Sequence, residues 1–354
     1  FNVSLSAYDA DLSTGGLSLK NPAATPRIHD VAKLAGVSVA TVSRVLSNPS
    51  IVSERTRKAV ENAVEETGYT VNLMARNLRQ QQVGAVLALV PNLANPFFSE
   101  ILAGISDALR TEGLSLLVLD TRQTDASSTS RGLRAYLNRS RADGVIVLDG
   151  SLDPALFDHA ACPPVVQACE WIDGLEGPRV LADNQTGARL AVEHLLGLGH
   201  RRILHLTGPT QNTLSISRAA GVAGALATAG LPPAPRMEGA FTLSSGHAAT
   251  ADVLALRERP TAVFCDNDEM AIGLMAGLHA AGIRTPEDIS IVGFDNIEMS
   301  AYASVPLTTV RQKRAHLGRF AAEMLLAQRT AQTLQDEVTL PVELIVREST
   351  APAR

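Results

Sequence analysis

The chain has little of what would make it an enzyme, a membrane protein or a disulfide scaffold. Its three cysteines, Cys162, Cys169 and Cys265, are odd in number and lack CxxC spacing. They read as reduced, buried small hydrophobes. No apolar run approaches the length that spans a bilayer, and the N-terminus lacks a basic region followed by an apolar one. No membrane association is expected, and the chain should stay in the cytoplasm. A nucleophile elbow G-x-S-x-G, a phosphate loop G-x-x-x-x-G-K-[ST] and a G-x-G-x-x-G after a strand are all missing, so the reading is that this is not an enzyme. His194, His200 and His205 invite a metal reading. However, one falls in a helix, one in the GHRR turn and one on a strand, with no acidic or cysteine ligand suitably spaced. Neither metal nor cofactor is expected.

What is present is 45% apolar and 19% charged residues over 354 positions, enough for two or three soluble globular domains. The formal charge of −5 is unevenly spread. Residues 20–82 carry 9 Lys and Arg against 5 Asp and Glu, whereas residues 83–354 carry 22 against 29. A small basic head on an acidic body suits a protein whose phosphate contacts come from the head alone.

The head is the most informative segment. IHDVAKLAGVSVATVSRVL, residues 28–46, sets two short apolar-periodic stretches around a Gly-Val-Ser corner. Val31, Ala32 and Leu34 mark the inward face of a first helix, and Val42, Val45 and Leu46 that of a second. Gly36 supplies the backbone freedom a sharp turn needs, and Ser38 is placed to cap the second helix, with Val37 and Val42 as a staple. Val39, Ala40, Ser43 and Arg44 then remain outward. Small residues followed by an arginine one turn later suit a helix that enters a major groove. Ser53 opens a third helix with an inward stripe of Val60, Ala63 and Val64.

DVAKLAGVS at 30–38, TVSRVL at 41–46, VSERTR at 52–57 and GY at 68–69 together resemble the LacI/GalR family of transcription regulators. The resemblance continues to about residue 350. It implies a helix-turn-helix head whose DNA-contacting residues are Ser38, Val39, Ala40, Thr41, Ser43 and Arg44. It also implies a hinge over 72–79, in which Asn72 can cap and Ala75 and Leu78 share a face. A helix this short is unstable alone, so it should order only when two copies pack on DNA, with Leu78 as a wedge into a minor-groove step. Val71 stands where the family often has proline.

From Val83 the pattern alternates strand and helix. VGAVLALV, LSLLVLD, GVIVLDG, RILHLTG, TAVFC and ISIVGFDN read as strands, with helices between. Such repetition implies two doubly wound parallel-sheet subdomains with a cleft between them. Polar residues at or just past strand ends, where open sheets bind ligands, are Asp183, Arg218, Asn267, Asp268, Asp295 and Asn296. The family resemblance, carried here by NPFFSEILAGI, GHRRI, GPTQNTLSISRAAGV, NDEMAIG and SIVGFDNI, implies a body of the periplasmic-binding-protein type. Its effector positions fall on Phe97, Phe98, Glu170, Arg218, Phe241, Asn267 and Asp295. Carboxylates, an amide and an arginine beside flat rings point to a neutral polyhydroxylated ligand, a sugar or a nucleoside. PPVVQACEW and GFDNI resemble the cytidine-responsive branch, although Cys169-Glu170 stands where the family often has an Asp-Arg pair. Regulation by a protein co-effector remains the alternative.

The expected organisation is an arm over 1–25 without periodicity, read as disordered, then a helix-turn-helix domain over 26–70 and a hinge over 71–82. One effector-domain lobe is expected from 83–182 and 311–338, the other from 183–310 and 339–350. The expected partners are a pseudo-palindromic double-stranded operator, a small effector and a second copy of the chain. No heptad repeat follows the last strand, so the tetramer-forming tail of some relatives is not expected.

Overall fold

A computed structural model describes residues 26–47, 49–70, 82–122, 132–328 and 335–354. The expected arm over 1–25 and the hinge residues Asn72, Ala75 and Leu78 lie outside the described residues. The head and the body are separate compact units.

The head holds three helices, α1 (Ile28–Ala35), α2 (Val39–Ser47) and α3 (Glu54–Thr67). Its core is Val31, Ala32, Val42, Val45, Val60 and Ala63. Each fully buried valine there contributes about 1.5–3 kcal/mol. Ser38 accepts from the Thr41 amide at 3.1 Å, and Ser53 caps α3 through the Thr56 amide at 3.4 Å. Gly36 ends α1 at φ 66° in the left-handed region. One expected core residue is misplaced: Leu34 is 47% exposed. At about 100° per residue, Ile28, Val31, Ala32 and Ala35 share a narrow arc, and Leu34 falls outside it.

The body is built on two six-stranded sheets among the described residues. The first orders its strands as β11 (Glu337–Leu340), β5 (Arg179–Ala182), β4 (Val165–Ala168), β3 (Gly144–Val147), β1 (Ala85–Val90) and β2 (Ser115–Asp120), all parallel. The second runs β12 (Glu343–Ile345), β10 (Thr308–Arg311), β9 (Ser290–Asp295), β8 (Ala262–Cys265), β6 (Ile203–Thr207) and β7 (Arg236–Glu238). There β12 alone is antiparallel to its neighbour. The central strands β1, β3, β8 and β9 are buried throughout, which is why they read as continuous apolar runs. Two lobe boundaries shift. Thr339 and Leu340 pair with β5 and so belong to the first lobe, and Arg311 pairs with β9 and belongs to the second. Hydrogen-bonded register, which periodicity does not reveal, sets both crossings.

The first sheet is covered by the helices Phe97–Thr111 and Arg314–Gln328, and the second by Asn184–Gly197 and Thr213–Thr228 on one face. Among the described residues no helix is long and apolar enough to cross a membrane.

Candidate effector site and head surface

A cavity of about 730 Å³ lies where the carboxyl ends of both sheets meet, within the size range of small-molecule sites. Phe97, Phe98, Glu170, Arg218, Phe241, Asn267 and Asp295 all line it. The first lobe contributes Phe97, Phe98 and Glu170, and the second contributes the other four.

Phe97 and Phe98 serve two ends. They are 6% and 5% exposed within the first core, and pack edge to face with ring centroids 5.1 Å apart, yet both reach the cavity wall. Glu170 follows β4 and is buried. Its Oε2 accepts from the Gly150 amide at 3.0 Å and from Asn212 Nδ2 at 3.1 Å. The second of these bonds crosses the cleft, because Asn212 caps the second-lobe helix Thr213–Thr228. Burial raises the Glu170 carboxyl to about 7, helped by neighbouring Asp149 and opposed by the two hydrogen bonds and by Arg218.

Arg218 is 1% exposed and almost fully partnered. Its Nε donates to Asn184 Oδ1 at 2.9 Å, and Nη1 donates to the Asp266 carbonyl. Nη2 lies 3.8 Å from Asp295 Oδ1, and the guanidinium carbon sits 3.9 Å from the Phe294 ring centroid. Asp295 ends β9 at φ 111°, a conformation that a non-glycine residue holds only under tertiary constraint. Gln312 Nε2 donates to its Oδ1 at 2.7 Å. Burial raises this carboxyl to about 7 against the pull of Arg218 and Arg314. Asn267 caps the helix Asp268–Ala280 through the Met270 amide at 2.9 Å, and its Nδ2 donates to the Phe241 carbonyl at 3.0 Å. It therefore holds the Phe241 loop as well as facing the cavity.

Other polar strand-end residues are structural. Asp183 caps its helix through the Thr186 amide at 3.0 Å. Asp268 is wholly buried, accepts from the Ile297 amide at 2.9 Å and from Thr309, and is pushed well above the usual carboxylate range by burial and by Asp295. Asn296 Oδ1 accepts from Arg347 at 2.7 Å. Helix capping accounts for Asp183, and long-range bonds within the second lobe account for Asp268 and Asn296. Sequence reading passed over Asp149, Asn212, Thr121 and Arg122, which also line the cavity. Asp149 and Thr121 directly follow β3 and β2 in sequence or nearly so, and the strand-end rule could have found them. Asn212 carried no signal beyond its place before a helix.

The three histidines do not converge. His194 meets Thr350 at 3.0 Å, His200 bridges Thr261 at 2.9 Å and the Ala351 carbonyl at 3.0 Å, and His205 meets Asp266 at 2.7 Å. Among the described residues no cluster of His, Cys, Asp and Glu could hold a metal.

On the head, Ser38, Ala40 and Arg44 are exposed, while Thr41 and Ser43 are half-buried. Val39 is half-buried against the head core rather than fully outward, because it lies one turn before Val42 on the same side.

Residues 27–72 match the model of bacterial regulatory proteins of the lacI family, and residues 192–350 match a periplasmic binding protein-like domain. The transcriptional repressor CytR of Escherichia coli K12 is 38% identical over 329 residues, covering 91% of this chain and 96% of that one. The chain belongs to the LacI family. The repressor PurR of Vibrio atlanticus is 36% identical over 306 residues, covering 84% and 90%. The lac repressor dimer solved with operator and the anti-inducer ONPF superposes with a TM-score of 0.80 at 32% identity, covering 92% of this chain and 99% of that one. As a LacI-family member the chain is a DNA-binding regulator, and its relatives are repressors rather than enzymes.

Proposed function

We propose that the chain represses transcription as a homodimer on a pseudo-palindromic operator, and that a sugar or nucleoside held between the lobes sets its operator affinity. Ser38, Val39, Ala40, Thr41, Ser43 and Arg44 face DNA in this reading, with Asn72, Ala75 and Leu78 in the hinge. The observation that carries it is the meeting of Glu170, Asp295, Arg218 and Asn267 with the rings of Phe97, Phe98 and Phe241 in one cavity between two lobes. Rings pack on an apolar sugar or base face, while carboxyls, amide and guanidinium pair with vicinal hydroxyls. A ligand bridging the lobes selects one lobe angle, and so one of two DNA affinities.

A screen of sugars and nucleosides by thermal shift tests the cavity, since a ligand that binds only the folded chain raises its melting temperature by mass action. If none of the panel moves the melting temperature, a protein co-effector becomes the better reading. The two raised carboxyls add a pH signature. Hydroxyls donating to Glu170 and Asp295 favour their ionised forms, so binding releases protons near pH 7 and affinity rises from pH 6 to pH 8. Without ligand the sign is opposite. The folded chain binds more protons than the unfolded one between the ordinary carboxylate range and about 7, so these groups contribute less stability as pH rises through that window. Calorimetry in buffers of different ionisation enthalpy measures the release, and a pH-independent affinity would remove both carboxyls from ligand contact.

In this reading the dimer contact lies in the body. On the edge strand β2, Leu117 and Val118 are 46% and 39% exposed, one on each face of the sheet. A chain lacking residues 1–82 is expected to sediment as a dimer at micromolar concentration, and a monomer there would place the contact in the head or hinge.

A further inference from the structure

The second lobe holds a buried polar pair that the effector reading leaves unused. His205, in the middle of β6, and Asp266, just past β8, are both 0% exposed. His205 Nε2 lies 2.7 Å from Asp266 Oδ1. We propose that this pair is the positioning element of the cavity, holding Arg218 and Phe241 where they meet ligand. The proposal rests on the cavity being the effector site.

Asp266 is a junction. Its second oxygen accepts from the Gly208 amide at 2.9 Å, and its own amide donates to the Leu206 carbonyl at 2.9 Å. These bonds lock together the carboxyl ends of two adjacent strands. Its carbonyl, turned the other way, accepts from Arg218 Nη1. Each strand end then sets one cavity wall. A Cβ at Gly208 would fall 2.1 Å from the Phe241 ring, so that ring rests directly on the Gly208 backbone. Phe241 itself holds φ 56°, a conformation its loop keeps only while its supports are in place. On the other side, the His205 ring stacks on Phe264 at 5.2 Å, Phe264 meets Phe294 at 6.5 Å, and the Arg218 guanidinium lies on Phe294. Imidazole, two phenyl rings and guanidinium thus form one chain of contacts that ends at the cavity-lining Arg218.

The choice of histidine is what makes this more than packing. A leucine at 205 would fill the space and leave Asp266 Oδ1 buried without a donor. Histidine can supply that donor from Nε2, the ring nitrogen that faces the carboxyl oxygen. Its other nitrogen, Nδ1, is buried with no hydrogen-bond partner among the described residues. The chain thus accepts one unpaired nitrogen to keep the bond to Asp266, the residue that in turn holds Gly208 and Arg218.

Arginine-selective 15N labelling of the full chain tests this directly. The Arg218 Nε–H is buried and bonded to Asn184, so it should give a resolved, slowly exchanging signal, identified by its loss in R218K. In H205L that signal should shift and exchange about 10-fold faster or more, as for loss of one buried hydrogen bond. H205Q, whose amide can still donate to Asp266, should restore it. Cytidine and D-ribose, used as probes, should bind H205L about 10-fold more weakly and H205Q nearly as wild type. An unchanged Arg218 signal in folded H205L would overturn the proposal and leave the pair as core packing. Should H205L not fold, D266N decides, since one amide oxygen cannot replace both carboxylate oxygens: a loosened Arg218 supports the pair and an unmoved one overturns it. Failure of either probe to bind wild type counts against the sugar-or-nucleoside reading alone, because the Arg218 signal is read without ligand.

Discussion

Asp295→Ala is expected to freeze operator affinity at the value of the empty protein, whatever effector is added, while the chain still folds. The carboxyl is buried, bonded to Gln312 at 2.7 Å and 3.8 Å from Arg218. Losing a ligand hydroxyl's hydrogen bond to a charged group costs about 1.5–3 kcal/mol, so effector affinity should fall about 10-fold or more. Folding survives because Arg218 keeps Asn184, the Asp266 carbonyl and the Phe294 face, and because Asp268 loses a like-charged neighbour. Alanine suits φ 111° less well than a short polar side chain, so Asp295→Asn is the companion variant. It keeps the backbone and removes the charge. Both should lose the ligand-induced rise in melting temperature that wild type shows. A ligand that raised the melting temperatures of wild type and both variants equally would remove this site from consideration.

Arg44→Ala is expected to weaken operator binding by about 1–3 kcal/mol, roughly 5- to 150-fold, and to relax preference at one base pair. Arg44 is exposed on the helix Val39–Ser47, beside exposed Ala40 and Ser38. Truncating it leaves the head core of Val31, Val42, Val45 and Val60 in place, so the head should still fold. Binding to the operator and to random DNA across a salt series separates two origins. A guanine-edge contact loses specific affinity with an almost unchanged salt slope. Equal loss on random DNA, with a slope reduced by about one, would assign Arg44 to phosphate.

Much of this was legible in the chain because it depends on short-range chemistry. Caps at Ser38 and Ser53, the left-handed glycine at 36 and the apolar stripes of the head follow from spacing within a few residues. The six strands read from apolar runs are the central or long ones, buried on both faces or paired along their length. Of the strands missed, β7, β11 and β12 are short edge strands with mixed burial, and β4, β5 and β10 are interior strands of only four residues, so each depends on neighbours outside its own short run. Leu34 shows the limit within one helix, where the arc that is buried is chosen by the partner helices.

Residue type and position past a strand were enough to suggest Arg218, Asn267 and Asp295, and the family resemblance to suggest Glu170, but not what each does. Only the fold brings Asn212 across the cleft to Glu170, turns the Asn267 amide onto the Phe241 loop, and sends Asp183, Asp268 and Asn296 into capping and core bonds. The His205–Asp266 contact joins residues 61 positions apart. A hydrogen bond needs its two atoms within about 3 Å, and that proximity belongs to the packed sheet and not to any local pattern. The sequence by itself therefore determined the family, the head and the residue types of the cavity. Tertiary structure decided which polar groups face ligand and which hold the others in place.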